Sequence, residues 1–249
     1  MITDGTYYEN INFLGKAITV ASLFLMDEDT SHIVNTIIGG SQPLQSDSGS
    51  VVTFSSGEDT TSILCGFTIT GGTGSINQNA FRTGGGINLV DCGAKIINNW
   101  IINNAISGGS FCGGAGICQS PPGISDWAII EYNTIKNNRI FGTDIGVGGG
   151  MVVSGNRRIT NNVIEYNTIQ SQSDAAVGGG INCANDNVFL TLTRKISHNI
   201  IRHNKALEPN SNQYDGGMGG GIFISGRSAE ISYNTITHNE IQGSASTRS

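Results

Sequence analysis

The sequence predicts an all-β solenoid in which short parallel strands coil around one long core, and three observations predict it. The phrase Ile-x-x-Asn-x-Ile-x-x-Asn occurs five times, and successive copies start 34, 29, 37 and 35 residues apart. A Gly-rich segment ending in Gly-Ile or Gly-Met stands upstream of each copy. A phrase that returns at this period is typical of stacked repeats. The copies are Ile96–Asn104, Ile130–Asn138, Ile159–Asn167, Ile196–Asn204 and Ile231–Asn239.

Composition and the repeat together predict one domain. The chain has 249 residues, with 36 glycines but only four prolines, and its isoleucines follow the repeat. This combination favours many tight turns between short strands over a disordered Gly-rich polymer. We expect a single parallel β-helix domain over residues 1–241, with irregular first coils at 1–62, regular repeats at 63–241 and a polar tail at 242–249.

The two isoleucines of each copy are predicted to point into the core. Parallel strands that are buried against one another favour β-branched side chains. A helix is excluded because the two isoleucines lie five residues apart and are separated by Asn, which gives no continuous stripe at a period of 3.6. The inward pairs are Ile96 and Ile101, Ile130 and Ile135, Ile159 and Ile164, Ile196 and Ile201, and Ile231 and Ile236.

The asparagines of the phrase form two predicted ladders along the coil. Asn tolerates the left-handed backbone of a sharp bend, and stacked amides can hydrogen-bond from one coil to the next. The first ladder is Asn99, Asn133, Asn162, Asn199 and Asn234. The second ladder is Asn104, Asn138, Asn167, Asn204 and Asn239.

Glycine-rich segments introduce a third strand in each coil, as at Gly86-Ile87 and Gly150-Met151. One period therefore contains several short strands separated by bends, which is one turn of a solenoid. Leu64–Gly72 is predicted to be an earlier copy that has Phe67 at the first Asn position. Five regular coils and about two degenerate ones make about seven, a rod of roughly 30–35 Å at ~4.8 Å per coil.

The phrases INNWIINN, IEYNTIKNN, ITNNVIEYN, ISHNIIRHN and ISYNTITHN, together with the GGGI segments, resemble the right-handed parallel β-helix repeats of the pectate-lyase-like superfamily. The resemblance covers roughly residues 4–241. It implies an extracellular or cell-surface protein. In such relatives a segment that caps the helix usually precedes the first coil, so this chain looks like an N-terminally truncated segment. An uncapped end is an exposed sheet edge, and we expect self-association there.

Charge and hydropathy exclude two classes of partner. The net charge is −6, and no cluster of Lys and Arg forms the basic patch that nucleic-acid binding needs. No run of 18 apolar residues predicts a membrane span. The five cysteines have no metal-type CxxC spacing. Cys112 and Cys118 either form a disulfide or pack as small apolar residues.

Three acidic residues occupy the same place in successive loops. Asp144, Asp174 and Asp215 each lie six residues ahead of the last Gly before a strand. Stacked in register they are ~4.8 Å apart, a spacing at which like charges repel unless a cation intervenes. Calcium, which prefers oxygen ligands, fits such a site. The alternative is that each Asp caps its own turn.

Aromatic and imidazole rings form another column. Tyr166, His203 and His238 share one repeat position. Tyr132, His198 and Tyr233 share a sister position. Rings on a solenoid wall either bind sugars or pack as a ladder. The predicted sugar-binding residues are Tyr166, His203, His238 and Tyr214.

Charged residues alternate in sign at one outward position, in the order Lys136, Glu165 and Arg202. This predicts a surface salt-bridge ladder in which each exposed pair contributes ~0–1 kcal/mol. Lys and Arg are also the bases that lyases of the resembled fold use, so catalysis at this column is an alternative. For a glycosidase, Glu208 with Asp215 is the only pair of carboxylates that the long loops suggest.

The expected function is therefore a structural or binding module that contacts polysaccharide. The polygalacturonase-like combination with an Asp-Asp pair is absent, as is the pectate-lyase-like Arg-x-Pro-x-x-Arg. No catalytic residue is assigned. The alternative is a polysaccharide lyase or glycoside hydrolase whose site lies in the stacked loops at residues 106–115, 140–149, 169–179 and 206–220.

Overall fold

The computed structural model describes residues 1–119, 127–183, 194–208, 216–225 and 229–243. These residues form a parallel β-solenoid of the right-handed type, which confirms the predicted fold class. Each turn passes through four sheets, which we call C, D, A and B in the order in which the chain visits them. Sheets C and D each contain seven strands, in agreement with the prediction of about seven coils.

Sheets C and D hold the first two strands of each turn, and all their described pairings are parallel. Sheet C comprises Ile11–Asn12, Val52–Phe54, Ile87–Leu89, Ile117–Gln119, Met151–Val153, Ile181–Cys183 and Ile222–Ile224. Sheet D comprises Thr19–Ala21, Ile63–Cys65, Ala94–Ile97, Trp127–Glu131, Asn156–Thr160, Arg194–Ser197 and Glu230–Ser232.

Sheets A and B complete the turn. Sheet A comprises Gly5–Tyr7, Thr36–Gly39, Thr68–Thr70, Trp100–Ile102, Thr134–Lys136, Val163–Glu165, Ile200–Arg202 and Thr235–Thr237. Sheet B comprises Ser48–Gly49, Gly74–Ile76, Arg82–Thr83, Ala105–Ser107, Phe111–Gly113, Arg139–Val147, Thr168–Val177, Lys205–Glu208, Gly217–Met218 and Glu240–Gly243. The strand Gly74–Ile76 pairs antiparallel with both of its neighbours.

The repeated phrase spans the end of a sheet D strand, a bend, a sheet A strand and a second bend. Its isoleucines stack in register, as Ile130 on Ile159 and Ile135 on Ile164. In the first four copies these side chains are completely buried in one continuous core. A second apolar cluster lies under sheet B and contains Ile106, Cys112, Ala115, Ile140, Ile169, Ala176 and Ala206.

Both asparagine ladders are present. The Asn133 backbone N–H donates to Asn162 Oδ1 at 2.9 Å, and the Asn133 side-chain amide donates to the same oxygen at 3.1 Å. The second ladder repeats this pattern from Asn138 to Asn167. Phe67 occupies the first Asn position of the earlier copy, as predicted, and its backbone N–H donates to Asn99 Oδ1 at 3.0 Å.

The left-handed residue of each bend is not the ladder asparagine. It is the residue immediately before it, as at Asn161 (φ 58°) and Tyr166 (φ 56°). This corrects the sequence interpretation. The preceding residue makes the turn and points outward, which leaves the ladder Asn free to turn its amide inward along the rod. The left-handed positions are Asn98, Asn103, Tyr132, Asn137, Asn161, Tyr166, His198, His203, Tyr233 and His238.

The first coil departs from the repeat. Two short helices, α1 (Phe24–Asp27) and α2 (Ser31–Asn35), lie between its sheet D and sheet A strands. Hydrogen bonding to Asp4 raises the pKa of His32, in α2. Neither helix of the described chain is long and apolar enough to cross a bilayer.

Candidate ligand groove and stacked side-chain columns

A groove of about 1120 Å³ runs along the solenoid between the outer face of sheet C and the adjoining strands of sheet B. Its floor carries the outward side chain of every sheet C strand. These floor residues are Asn12, Thr53, Asn88, Cys118, Val152, Asn182 and Phe223. The groove therefore touches all seven coils, which suits an extended ligand better than a small one.

Left-handed glycines position the wall of this groove. Gly148 (φ 62°) turns the chain from sheet B into sheet C, and a Cβ at this position would lie 2.3 Å from the Met151 carbonyl oxygen. Such an approach is open only to Gly. The tight turn brings Val147 of the wall and Val152 of the floor onto the same groove. This accounts physically for the Gly-rich segment before each strand.

The first coils supply a polar half of the groove. Its amides and hydroxyls are ordered by hydrogen bonds among themselves. Asn10 Nδ2 donates to the Ser50 carbonyl at 2.8 Å, and the Ser50 and Ser75 hydroxyls lie 2.8 Å apart. The Asn77 side chain accepts from the backbone N–H groups of Asn79 and Phe81 and so holds the loop at the rim.

The later coils supply an apolar half. The rings of Phe81 and Phe111 lie 4.7 Å apart at the junction of the two halves. Beyond them the lining residues are mainly Val147, Val152, Val177, Met218 and Phe223.

Two carboxylates, Asp47 and Asp91, line the groove, and both residues are exposed. Among the described residues that line it, there is no Lys, Arg or His. Burial raises the pKa of the Cys118 thiol to about 12, so this cysteine is not a nucleophile near neutral pH.

Of the predicted acidic column, Asp144 and Asp174 lie on the strands Arg139–Val147 and Thr168–Val177 and do not line this groove. The pairing of these two strands is interrupted by register shifts around Asp144, and Asp144 accepts a hydrogen bond from Ser173 at 2.8 Å. Asp215 lies outside the described residues. Within the described ranges no group of three or more His, Cys, Asp or Glu residues could hold a metal ion. Calcium binding at Asp144, Asp174 and Asp215 stays a prediction.

The ring columns stack face to face. The Tyr166 and His203 rings are 4.8 Å apart with an interplanar angle of 7°, and His203 stacks on His238 at 5.0 Å. Lys136 Nζ lies 5.2 Å from the centre of the Tyr166 ring. Stacking occupies the ring faces within the column, so a sugar has access mainly to ring edges. Sugar binding by Tyr166, His203 and His238 stays a prediction, and Tyr214 lies outside the described residues.

The predicted ion-pair ladder forms, but its centre is not exposed. Lys136 Nζ lies 2.8 Å from Glu165 Oε1, and Arg202 Nε lies 2.7 Å from Glu165 Oε2. The Glu165 side chain is only 7% exposed. Burial acts to raise the pKa of Glu165, but hydrogen bonds from Lys136 and Arg202 outweigh it and lower the pKa below its usual value. Lys136 and Arg202 are therefore both paired with the Glu165 carboxylate.

The structure also tests the alternatives for the cysteines and the surroundings of Glu208. All five cysteines are buried, and Cys112 and Cys118 are free thiols that form no disulfide, so the packing interpretation applies to these two. Glu208 ends a sheet B strand and is buried, and neither of its carboxylate oxygens has a hydrogen-bond partner among the described residues. It is not among the residues that line the groove.

Sequence reasoning did not identify the groove residues. Asn10, Asp47 and Asn77 belong to coils that lack the repeated phrase, Asp91 lies ahead of the first copy, and Phe111 lies in a loop-derived strand. The only available signal was the surplus of Ser in the first coils, which indicates a polar surface and no particular site.

No protein-family model matches this chain, and neither the curated proteins nor the solved structures contain a significant match. The solenoid and its groove are therefore the features on which a function can be argued.

Proposed function

We propose that this protein is an extracellular or cell-surface β-solenoid module that binds an extended polysaccharide in the groove beside sheet C. The observation that carries the proposal is that one groove touches all seven strands of that sheet. A polymer of repeating sugars presents similar groups at regular intervals and can use such a length.

The chemistry of the groove suits sugars. Sugar rings have hydroxyl edges and apolar faces. The amides and hydroxyls of the first coils donate and accept hydrogen bonds, while the edge-exposed pair Phe81 and Phe111 offers apolar surface. The resemblance of the repeats to the pectate-lyase-like superfamily supports a carbohydrate partner and an extracellular location.

Binding without turnover is favoured because the sequence lacks the motifs of the lyases and hydrolases that share this type of fold. The alternative, a glycoside hydrolase, is favoured by one observation. Asp47 and Asp91 both line the groove, and paired carboxylates are the minimum for glycoside hydrolysis.

Affinity electrophoresis in gels that contain polysaccharide tests the proposal, with reducing ends and unsaturated products assayed in parallel. We expect retention by at least one polysaccharide and no product. Product release that is lost in Asp47→Asn or Asp91→Asn would establish the hydrolase instead.

Two matched variants locate the binding site. The rim variant, Gln78→Ala with Asn79→Ala, removes exposed amides at the edge of the groove. The ring variant, Tyr166→Ala with His238→Ala, removes two rings of the stacked column that the sequence predicts to bind sugar. We expect only the rim variant to lose retention, by about tenfold. Loss in the ring variant alone would place the sugar on the stacked column.

A further inference from the structure

We infer that the groove selects uncharged glycans over uronate polymers. The inference rests on the proposed function and concerns the substrate class of the same groove. Asp47 and Asp91 are the charged groups among its described lining residues. A polyanion in this groove would lie beside these two carboxylates, and none of the described lining residues carries a positive charge to offset them, which is unfavourable at close range.

Several basic residues near the groove and on the other sheets have partners elsewhere. Arg82 is the nearest in sequence to the groove loop, and its guanidinium donates to the Ser46 and Gly74 carbonyls at 3.2 and 3.0 Å. On the other sheets, five Lys and Arg side chains lie in ion pairs. These pairs are Lys136 and Arg202 with Glu165, Arg158 with Glu131, Lys195 with Glu230, and Lys205 with Glu240.

Apart from Asp47 and Asp91, the polar groups that face the groove are neutral. Asn10, Asn12, Asn77, Gln78 and Asn79 each present an amide, which is both a donor and an acceptor. Adjacent sugar hydroxyls need this combination. Recognition of a carboxylate favours Arg or Lys instead, because charge-assisted hydrogen bonds are the stronger ones.

The test compares the affinity of the whole protein for neutral and uronate polymers at 0.15 M salt with chelator present. The neutral probes are arabinoxylan, galactomannan and mixed-linkage β-glucan, and the anionic probes are polygalacturonate and alginate. We expect at least one neutral polymer to bind ten times or more as tightly as either uronate.

A charge variant shows whether the two carboxylates cause the selection. The variant Asp47→Lys combined with Asp91→Asn removes both negative charges and adds a positive one. Asn is chosen at position 91 because the backbone there is left-handed (φ 51°), a conformation that Asn tolerates. We expect uronate affinity to rise at least tenfold. Glu28→Lys makes a similar change of charge on an exposed residue outside the groove lining and should leave both affinities within about twofold.

The outcomes separate the two proposals. Wild-type protein that binds uronates as tightly as neutral polymers, with or without added calcium, would overturn the selectivity and leave carbohydrate binding intact. Binding to none of the five polymers would overturn the proposed function and the selectivity together. An unchanged uronate affinity in the charge variant would contradict the assigned role of Asp47 and Asp91.

Discussion

Two adjacent asparagines in one bend have different roles in this solenoid: one makes the turn and the other forms the ladder. Asn161 adopts the left-handed backbone and faces solvent. Asn162 is buried. Its Oδ1 accepts from Asn133, and its Nδ2 lies within hydrogen-bond distance of the Ile130 carbonyl at 2.9 Å and of Asn199 Oδ1 at 3.0 Å. Each ladder residue thus satisfies backbone groups that the bend leaves without strand partners.

We expect Asn162→Ala to lower the free energy of unfolding by about 2–4 kcal/mol, because it leaves the buried Asn133 N–H and Ile130 carbonyl unsatisfied. Asn161→Gly is the matched control. Gly adopts the left-handed backbone readily, so we expect a change within about 1 kcal/mol. Urea unfolding followed by circular dichroism measures both. Similar losses in the two variants would contradict the division of roles.

Glu165 gives stability a dependence on pH. Its pKa is lowered in the folded protein, so its contribution is fully present above the ordinary value of 4.5 and is lost as pH falls through the folded pKa. We expect Glu165→Gln to cost about 1–3 kcal/mol at pH 7 and progressively less below pH 4.5.

The control for this prediction is Glu230→Gln, since the Lys195–Glu230 pair is 3.6 Å long and both of its side chains are exposed. We expect a cost below about 1 kcal/mol at any pH. Thermal unfolding between pH 3 and 7 compares the variants. A Glu165→Gln deficit that does not change with pH would show that the ladder acts through packing rather than charge.

Strand by strand, the chain is assembled by parallel stacking and by the glycine turns between sheets B and C. Most strands contain three to five residues, too short to be stable alone. Their stability comes from the coil above and the coil below, and each turn must therefore keep the strand spacing. At these turns a glycine lies where a Cβ would meet a backbone carbonyl oxygen, as at Gly148.

Gly148 and Gly142 allow a matched test of this idea, because both have positive φ, at 62° and 65°. A Cβ on Gly148 meets the Met151 carbonyl at 2.3 Å, whereas a Cβ on Gly142 meets nothing closer than 3.9 Å. We expect Gly148→Ala to cost about 2–5 kcal/mol and Gly142→Ala about 1–2 kcal/mol. Equal costs by chemical unfolding would show that backbone strain alone matters.

At this level the sequence predicted the strands of the repeated phrase, their register and the ladders correctly, because each is set by a residue repeated at the same place in every coil. It assigned residues 140–149 and 169–179 to loops, where the structure has long sheet B strands. It assigned the left-handed backbone to the ladder asparagines, one residue late. The reason is that the residue that makes the turn varies among Asn, Tyr and His, so it carries no constant signal.

Over the whole molecule, the coils are not equally covered. Ile159, Ile164 and Ile169 of one coil are completely buried, whereas the corresponding isoleucines of the last described coil, Ile231, Ile236 and Ile241, are 45–53% exposed. Solenoid stability is a sum over coils and their contacts with neighbours. The isoleucines of the last described coil therefore bury less apolar surface than those of the middle coils.

We therefore expect Ile164→Ala to cost about 2–5 kcal/mol and Ile236→Ala less than about 1 kcal/mol, although both occupy the same column of sheet A. Chemical unfolding gives the two values. Amide hydrogen exchange provides an independent check, since strands of the last coil should exchange faster than Val163–Glu165. Equal protection along the rod would contradict this gradient.

The sequence by itself determined the solenoid, its inward isoleucines and both asparagine ladders, because stacking converts a sequence period directly into columns of identical side chains. The tertiary structure decided the groove and the burial of Glu165. Asp47, Asn77, Asp91 and Phe111 follow no common repeat position. They meet only because consecutive coils lie one strand spacing apart, which brings residues distant in the chain into one surface.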